Sequence, residues 1–292
     1  MPSLKMIKRR IGSVSNTQQI MKAMNLVAAS KLQKAKEQQG VVRPLFDHIQ
    51  RVMDGVQASE GAADSVFTQK REVRNIAVLV ITGDRGLCGG YNHNMAKEAM
   101  ALLNANEGKQ EKIIALGMKG WEYFRRRGKN VVQRYVCIQE SASYDDAEQI
   151  GKMLVSMYLS GEADEVYIAY TQFETILTHH PRVIKILPLG EASGGTEAEK
   201  PKEETAHVAM SYDPDVNTFI EYAVPMYLNT VIYGAMVEAN VCEQAARMTS
   251  MDSATRNASE IIDDLTLVFN RKRQSVITQE ITEIVSGANA LQ

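Results

Sequence analysis

The sequence predicts a central Rossmann-like α/β domain combined with a long antiparallel coiled coil, which the two ends of the chain form together. Three observations predict this fold class. Residues 226–292 contain no proline, the first 57 residues repeat apolar side chains at helical spacing, and the residues between them alternate short apolar runs with helical stretches. An alternation of this kind is typical of an α/β domain with a mainly parallel sheet.

The C-terminal part, residues 211–292, predicts one very long helix. Its proline-free stretch of about 65 residues would be roughly 100 Å long at ~1.5 Å per residue. Apolar or small side chains recur there in alternating steps of three and four, and so form one narrow stripe, as in the seam of a two-stranded coiled coil. The stripe consists of Val241, Ala245, Met248, Thr255, Ala258, Ile262, Leu265, Phe269 and Val276. A stripe of this width requires a partner helix.

The partner helix is predicted at the other end of the chain, in residues 1–57. The same spacing is kept by Leu4, Ile7, Ile11, Val14, Met21, Ala28, Leu32, Val42, Phe46, Ile49, Met53 and Val56, with Gln18 and Asn25 as polar interruptions. We expect Pro44 to bend or locally break this helix, because proline lacks the backbone donor and its ring collides with the preceding turn. Residues 1–36 also carry eight Lys and Arg and no acidic residue, which predicts an acidic partner.

Residues 72–190 predict the α/β domain. We expect strands at 75–82, 112–117, 131–138, 165–170 and 182–187, and helices at 91–103, 119–127 and 145–159. The last two strands follow each other directly through Thr178, His179 and His180, which predicts an antiparallel edge. Residues 191–206 are rich in Glu, Gly and Lys and lack large apolar side chains, so we expect a flexible acidic insert.

One glycine-rich turn, residues 82–92 (TGDRGLCGGYN), follows the first strand directly and precedes a helix. Phosphates bind at this place in a doubly wound sheet. The turn lacks both the G-x-G-x-x-G spacing and the Lys-Ser/Thr of a P-loop, so no nucleotide cofactor is predicted. We interpret Cys88 in this turn as a small packing residue, and His179 and His180 as loop residues rather than metal ligands.

Composition excludes several further classes of protein. The net charge is −2, and the three cysteines lie far apart without a C-x-x-C pair, which predicts neither disulfides nor a zinc site and fits a reducing compartment. The sequence shows no signal-peptide core and no apolar run of the ~20 residues that span a bilayer, so we expect membrane association only through a partner.

Three segments resemble one known family, the gamma subunits of bacterial F-type rotary ATP synthases. They are residues 7–24 (IKRRIGSVSNTQQIMKAM), residues 83–89 (GDRGLCG) and residues 277–288 (ITQEITEIVSGA), which match the family's opening helix, central motif and C-terminal signature. The resemblance implies a non-catalytic rotor shaft, present once in the axis of the alpha/beta hexamer and in contact with the epsilon subunit and the c-ring. It also implies a location on the cytoplasmic face of the bacterial cell membrane, as part of the complex.

The resemblance also assigns contact residues. It implies that Lys22, Met24, Arg247, Thr278 and Glu280 contact the alpha/beta hexamer, with Lys22 facing an acidic end of beta. It further implies that Tyr212 and Asp213 face epsilon and the c-ring.

Two hypotheses from other classes compete with the rotor shaft. The first is an α/β enzyme that binds a nucleotide cofactor at the glycine-rich turn, and it predicts saturable nucleotide binding by the isolated chain. The second is a nucleic-acid-binding coiled coil that uses the basic first helix, although the sequence lacks the interleaved aromatic residues of a single-strand binder.

Overall fold

The computed structural model describes residues 3–57, 65–69, 71–138, 140–189 and 216–290. Within these ranges the chain forms five helices and five strands. In chain order they are α1 (Leu4–Gln57), β1 (Asn75–Ile81), α2 (Tyr91–Ala105), β2 (Gln110–Leu116), α3 (Met118–Arg125), β3 (Val131–Tyr135), α4 (Tyr144–Leu159), β4 (Glu165–Phe173), β5 (His179–Leu187) and α5 (Val216–Ala290). The chain divides into two compact units, Met1–Ala29 with Arg247–Gln292, and Ser30–Ala246.

The first unit is a pair of antiparallel helices, the beginning of α1 and the end of α5. Two side-chain hydrogen bonds fix their direction: Gln18 Nε2 donates to Ser259 Oγ at 2.7 Å, and Asn25 Nδ2 donates to the Met248 carbonyl at 2.8 Å. The residue number falls along α5 as it rises along α1, so the helices are antiparallel. Every residue predicted for the two seams in this unit is at least partly buried, which confirms the predicted coiled coil.

The second unit is built on a five-stranded sheet in the order β3-β2-β1-β4-β5. β1 is parallel to β2 and β4, and β2 is parallel to β3, whereas β5 is antiparallel to β4 at the edge. The mainly parallel sheet and its antiparallel edge are therefore confirmed. The apolar sequence of β1 is buried on both faces, as the central strand of a covered sheet requires.

Alternate side chains of β1 enter two separate cores. Ile76, Val78 and Val80 pack in one cluster with α2 and with Phe124 of α3. Ala77, Leu79 and Ile81 pack on the other face, in a cluster that α4, the first half of α5 and Met53 of α1 complete. The sheet is thus a middle layer, and α5 covers one of its faces.

The predicted break at Pro44 is wrong, because α1 continues through it. Pro44 and Gly40, the residue whose carbonyl loses its helical donor, are both exposed, so water has access to this part of the helix. Buried Val42 before Pro44 and the packed Phe46 and Ile49 after it hold both parts of the helix against the core. Burial on both sides thus offsets the one missing backbone bond.

The loop assignment of His179 and His180 is also wrong, because both residues belong to β5 and pair with Phe173 and Gln172 of β4. β5 is an edge strand, where a proline such as Pro181 is tolerated, so the strand begins before the apolar run from which it was predicted. The predicted insert at 191–206 lies outside the described residues.

Candidate functional site

Three of the predicted contact residues lie at one level of the antiparallel pair. Asn25 bonds to Met248, and because the helices are antiparallel, Met24 and Arg247 lie on either side of that contact, ~3 Å apart along the pair. Lys22, Met24 and Arg247 thus fall within about one helical turn of one another along the pair. Lys22 is exposed one turn away, Met24 is partly buried, and Arg247 is only 8% exposed. The level therefore combines an outward-pointing ammonium group with a buried guanidinium.

Charge at this level is available to a partner. Lys22 makes no ion pair with another residue in the described part of the chain, and it belongs to a row of exposed basic side chains on α1. Further along, Lys31 is already paired with Glu140 at 2.6 Å, so its charge is partly neutralised within the chain. The basic surface of α1 is thus strongest in its first turns.

The other two predicted contact residues lie far from this level. Thr278 and Glu280 are exposed on α5, and about 31 residues separate Arg247 from Thr278, which corresponds to ~46 Å along the helix. Val276 is the last partly buried residue, and every described side chain from 277 to 289 is exposed. The structure thus gives two groups of candidate residues, one in the paired part of α5 and one in its unpaired end.

The unpaired end also exposes apolar residues that sequence reasoning did not assign to the site. Ile277, Ile281, Ile284 and Val285 are 46%, 56%, 71% and 51% exposed. They recur at steps of four, three and one, and so share one face of the helix. The hydrogen bond from Gln18 to Ser259 places Leu4, the first residue of α1, opposite about residue 273 of α5, so α1 leaves the helix beyond that point uncovered. The sequence alone did not reveal this register.

Tyr212 and Asp213, predicted to face epsilon and the c-ring, lie outside the described residues.

The glycine-rich turn after β1 is a structural junction. The Asp84 carboxylate accepts from the backbone N–H of Met118, the first residue of α3, at 3.0 Å and from that of Cys137 at 2.8 Å. Asn92 Oδ1 accepts from the Gly83 N–H at 2.7 Å. One turn therefore connects the ends of β1 and β3 with the beginnings of α2 and α3.

Glu243 of α5 closes the same junction from the other side. This side chain is 2% exposed, and a Cβ placed on Gly83 would lie 2.7 Å from its Cδ. A phosphate bound at the end of β1 would have to share that space with the carboxylates of Asp84 and Glu243, and like charges at such distances repel strongly. The geometry therefore does not favour the nucleotide-binding hypothesis.

Cys88 has the packing role that the sequence predicted. It is 2% exposed and packs with Tyr91, Cys242 and Ala246. The Tyr91 hydroxyl donates to the Ala239 carbonyl at 3.1 Å, so the first residue of α2 is bonded to α5.

Burial perturbs several titratable groups where α5 meets β4. Desolvation raises the pKa of Glu238, whose Oε1 accepts from the Phe173 N–H at 3.0 Å. Desolvation, with a smaller contribution from Glu238, also raises the pKa of Tyr170 to about 12. Burial raises the pKa of the Cys242 thiol in the same way. Each of these three groups therefore keeps its proton, and stays neutral, to a higher pH than it would in water.

No group of three or more His, Cys, Asp or Glu side chains within the described ranges is arranged to bind a metal ion. Of the helices the structure describes, none combines the length and apolarity needed to cross a membrane.

Comparison with known families gives one match over nearly the whole chain. The family model described as "ATP synthase" matches residues 3–291. A protein named ATP synthase gamma chain from Alkaliphilus metalliredigens is 45% identical over 287 residues, 98% of each chain. One with the same name from Desulforamulus reducens is 41% identical over 294 residues, all of each chain. A relative from Acetobacterium woodii, named ATP synthase gamma chain, sodium ion specific, is 40% identical over 296 residues, 98% of this chain and 97% of its own.

Solved structures share the fold. A chain in the Euglena gracilis mitochondrial ATP synthase, in an assembly of OSCP, F1 and c-ring, aligns with a TM-score of 0.69 and 18% identity over 99% of this chain and 94% of its own. A chain in the central stalk and c-ring of the Tetrahymena thermophila mitochondrial ATP synthase aligns with a TM-score of 0.60 and 22% identity over 80% of this chain and 99% of its own. The same combination of terminal helices and sheet therefore occurs in both.

Proposed function

The chain belongs to the ATP synthase gamma-chain family, and from this premise we propose that it is the central rotor shaft of an F-type ATP synthase. In this role it transmits torque between the membrane c-ring and the catalytic alpha/beta hexamer, so that proton or sodium flow is coupled to ATP synthesis or hydrolysis. The observation that carries the proposal is the match of curated gamma chains over 98% or more of this chain.

The antiparallel pair suits the transmission of torque. A twisting force tends to slide one helix along its neighbour, and the bonds from Gln18 to Ser259 and from Asn25 to Met248 oppose sliding because each requires one register. Polar residues within an apolar seam specify register in this way. The seam residues on either side bury apolar surface and keep the helices together.

The junction at Gly83 suits the transmission of torque within the second unit. Tyr91 and Phe173 bond to α5, and Glu243 of α5 fills the space against Gly83. A rotation imposed on the α/β layers is therefore passed to α5 through several directed contacts instead of one hinge.

We assign the contact surfaces as follows. Lys22, Met24 and Arg247 contact the alpha/beta hexamer at one level, and Thr278 and Glu280 contact it near the end of α5. The exposed apolar face of residues 277–285 lies in the same part of the hexamer and needs a partner, because apolar surface of this extent is unstable in water. Tyr212 and Asp213 contact epsilon and the c-ring.

The proposal includes no chemistry by the chain itself. Catalysis belongs to the beta subunits, and the chain changes their conformation as it turns. It has no cofactor, and its place at the cytoplasmic face of the bacterial membrane follows from its contacts with the other subunits.

Reconstitution tests this proposal. The chain is mixed with the alpha and beta subunits of the same organism, any complex is isolated by gel filtration, and its ATPase activity is measured. We expect one copy per hexamer and activity that depends on the chain. No association with alpha and beta would contradict the rotor assignment.

A variant pair sharpens the test. Replacing Ile281 and Ile284 by Ser should lower the ATPase activity of the complex while leaving the unfolding free energy of the isolated chain within about 0.5 kcal/mol, because both side chains are exposed. The matched control replaces Leu159 and Leu177, which are 51% and 82% exposed in the second unit, by Ser. Equal activity of the two variants would show that the end of α5 does not engage the hexamer.

A further inference from the structure

Helix α3 and strand β3 carry a concentration of positive charge that the proposed shaft contacts do not use. Residues 118–135 contain six Lys and Arg and one acidic residue, Glu122, in a chain whose net charge is −2. These elements are adjacent, and β3 is an edge strand of the sheet. The charge therefore lies together on one side of the second unit.

The lysines of this region are neutralised within the chain. Lys119 pairs with Glu122 at 3.0 Å, and Lys129 pairs with Glu111 at 2.9 Å. The hydrogen bond from Lys119 lowers the pKa of the Glu122 carboxyl, so this acid stays ionised in its pair. Arg126 also approaches Glu122, at 4.0 Å, so the charge that remains is that of Arg125, Arg127 and Arg134.

Three arginines are held against aromatic rings instead of carboxylates. The guanidinium carbons of Arg125 and Arg134 lie 4.8 and 4.4 Å from the centroid of Trp121, and that of Arg127 lies 3.6 Å from the centroid of Tyr123. All three arginines are exposed, both rings are partly buried, and no carboxylate within the described ranges pairs with any of the three. Stacking restricts each guanidinium to few orientations, so less entropy is lost when it binds a ligand.

We propose that this basic face, formed by Trp121, Tyr123, Arg125, Arg127 and Arg134, is a docking surface for an acidic segment of another ATP synthase subunit. The proposal rests on the rotor function, since it requires the assembled complex. The complementary segment carries at least two carboxylates, which approach Arg125 and Arg134 beside Trp121. Planar guanidinium groups bind carboxylates with paired hydrogen bonds, and Trp, Tyr and Arg are enriched among residues that dominate interface energies.

Other anionic partners fit this surface less well. A nucleic acid needs open aromatic faces on which bases can stack, whereas arginines cover these rings. An anionic membrane surface attracts mobile lysines and aromatic residues that can insert, whereas both lysines here are paired and both rings are partly buried. Fixed arginines on rigid elements suit a shaped protein surface.

Photocrosslinking in the assembled holoenzyme tests the proposal. A benzophenone amino acid replaces Val132, which is 42% exposed in β3 and two residues from Arg134. The membrane-bound complex is irradiated, and the crosslinked segment is identified by mass spectrometry. We expect one main adduct, within a segment of another subunit that contains at least two Asp or Glu.

Charge reversal supplies the second part of the test. Arg125→Glu with Arg134→Glu should lower the yield of that adduct at least about tenfold, since a hot-spot residue accounts for a tenfold or larger change in binding. Lys97→Glu with Lys152→Glu changes the net charge equally at exposed positions of α2 and α4 and should leave the yield unchanged. Thermal unfolding of the isolated variants confirms that each is folded.

The outcomes separate this proposal from the rotor assignment. If the unmodified chain does not assemble with alpha and beta, the rotor function fails. If it assembles but the probe labels lipid, nucleic acid or no partner, or if both charge variants give the same yield, the rotor function stands and the docking surface is excluded.

Discussion

At Gly83 a contact with a buried side chain, and not a backbone angle, disfavours any larger residue. The Gly83 Cα approaches the buried Glu243 so closely that any Cβ would overlap the carboxyl group. Gly86, three residues later in the same turn, has open space in the corresponding direction. The glycines of one motif therefore have different roles.

Replacing Gly83 by Ala should lower the free energy of unfolding by about 1–3 kcal/mol, as overpacking of a well-packed interior does. The control, Gly86→Ala, should leave the free energy of unfolding unchanged or raise it by up to ~1 kcal/mol. Its Cβ meets no other atom in the folded chain, whereas alanine lowers the conformational entropy of the unfolded chain. Urea unfolding of the isolated chain measures both. Equal losses in the two variants would show that Glu243 does not constrain position 83.

Glu238 links the stability of the second unit to pH. Desolvation raises its pKa in the folded chain, so the unfolded chain loses this proton first as the pH rises. The stabilisation that Glu238 contributes to the free energy of unfolding through this shift is therefore fully present below the pKa of an unfolded glutamate, ~4.3. It is lost as the pH rises through the pKa of Glu238 in the folded chain.

Glu238→Gln keeps an acceptor for the Phe173 N–H but removes the titration. Between pH 4 and 7 the variant should become more stable relative to the unmodified chain as the pH rises, with a slope of at most ~1.4 kcal/mol per pH unit. Urea unfolding at several pH values tests this, with Glu98→Gln at an exposed position of α2 as control. A difference between the two proteins that does not vary with pH would contradict the prediction.

At the scale of elements, the coiled coil depends on polar residues as well as on its apolar seam. Gln18 and Asn25 occupy seam positions, and both bond across to α5. A seam made of aliphatic side chains alone permits shifted registers, whereas these two bonds are satisfied in one register. The interruptions in the apolar pattern are thus the positions that align the helices.

Gln18→Ala with Asn25→Ala should therefore lower the unfolding free energy by about 1–3 kcal/mol, at roughly 0.5–1.5 kcal/mol for each lost bond. Gln19→Ala with Asn16→Ala removes the same residue types from exposed positions and should change it by less than ~0.5 kcal/mol. Thermal unfolding followed by circular dichroism compares the pairs. If the exposed pair costs as much as the seam pair, the hydrogen bonds do not specify the register.

Elements with strong periodicity could be predicted from the sequence. The apolar stripe on α5 and the apolar run of β1 each predict their own secondary structure, because the spacing of apolar residues indicates which face is buried. Pro44 and His179 could not be placed, because in both cases packing against distant residues overrides a local preference. A proline is tolerated where the helix on both sides is held by the core.

At the scale of the whole molecule, the fold class could be predicted, but the junction at Gly83 could not. The roles of Asp84 and Glu243 depend on residues 34 to 160 positions away, such as Met118 and Gly83, and one sequence does not reveal such pairs. The basic face on α3 and β3 is similar, since Arg125 and Arg134 meet on one indole only after folding. The exposed end of α5 also follows only from the folded chain, because the hydrogen bonds of Gln18 and Asn25 fix the register of the pair.

The antiparallel pair also has a consequence for biosynthesis. Gln18 and Ser259 are 241 residues apart, so a ribosome that adds ~5–20 residues per second takes about 10–50 s to deliver the second helix after the first has emerged. During that time the seam of α1 lacks its partner, and an unpartnered helix is only marginally stable in water. Assembly of the coil is therefore a late event in translation, and the nascent α1 is a segment that chaperones have time to bind.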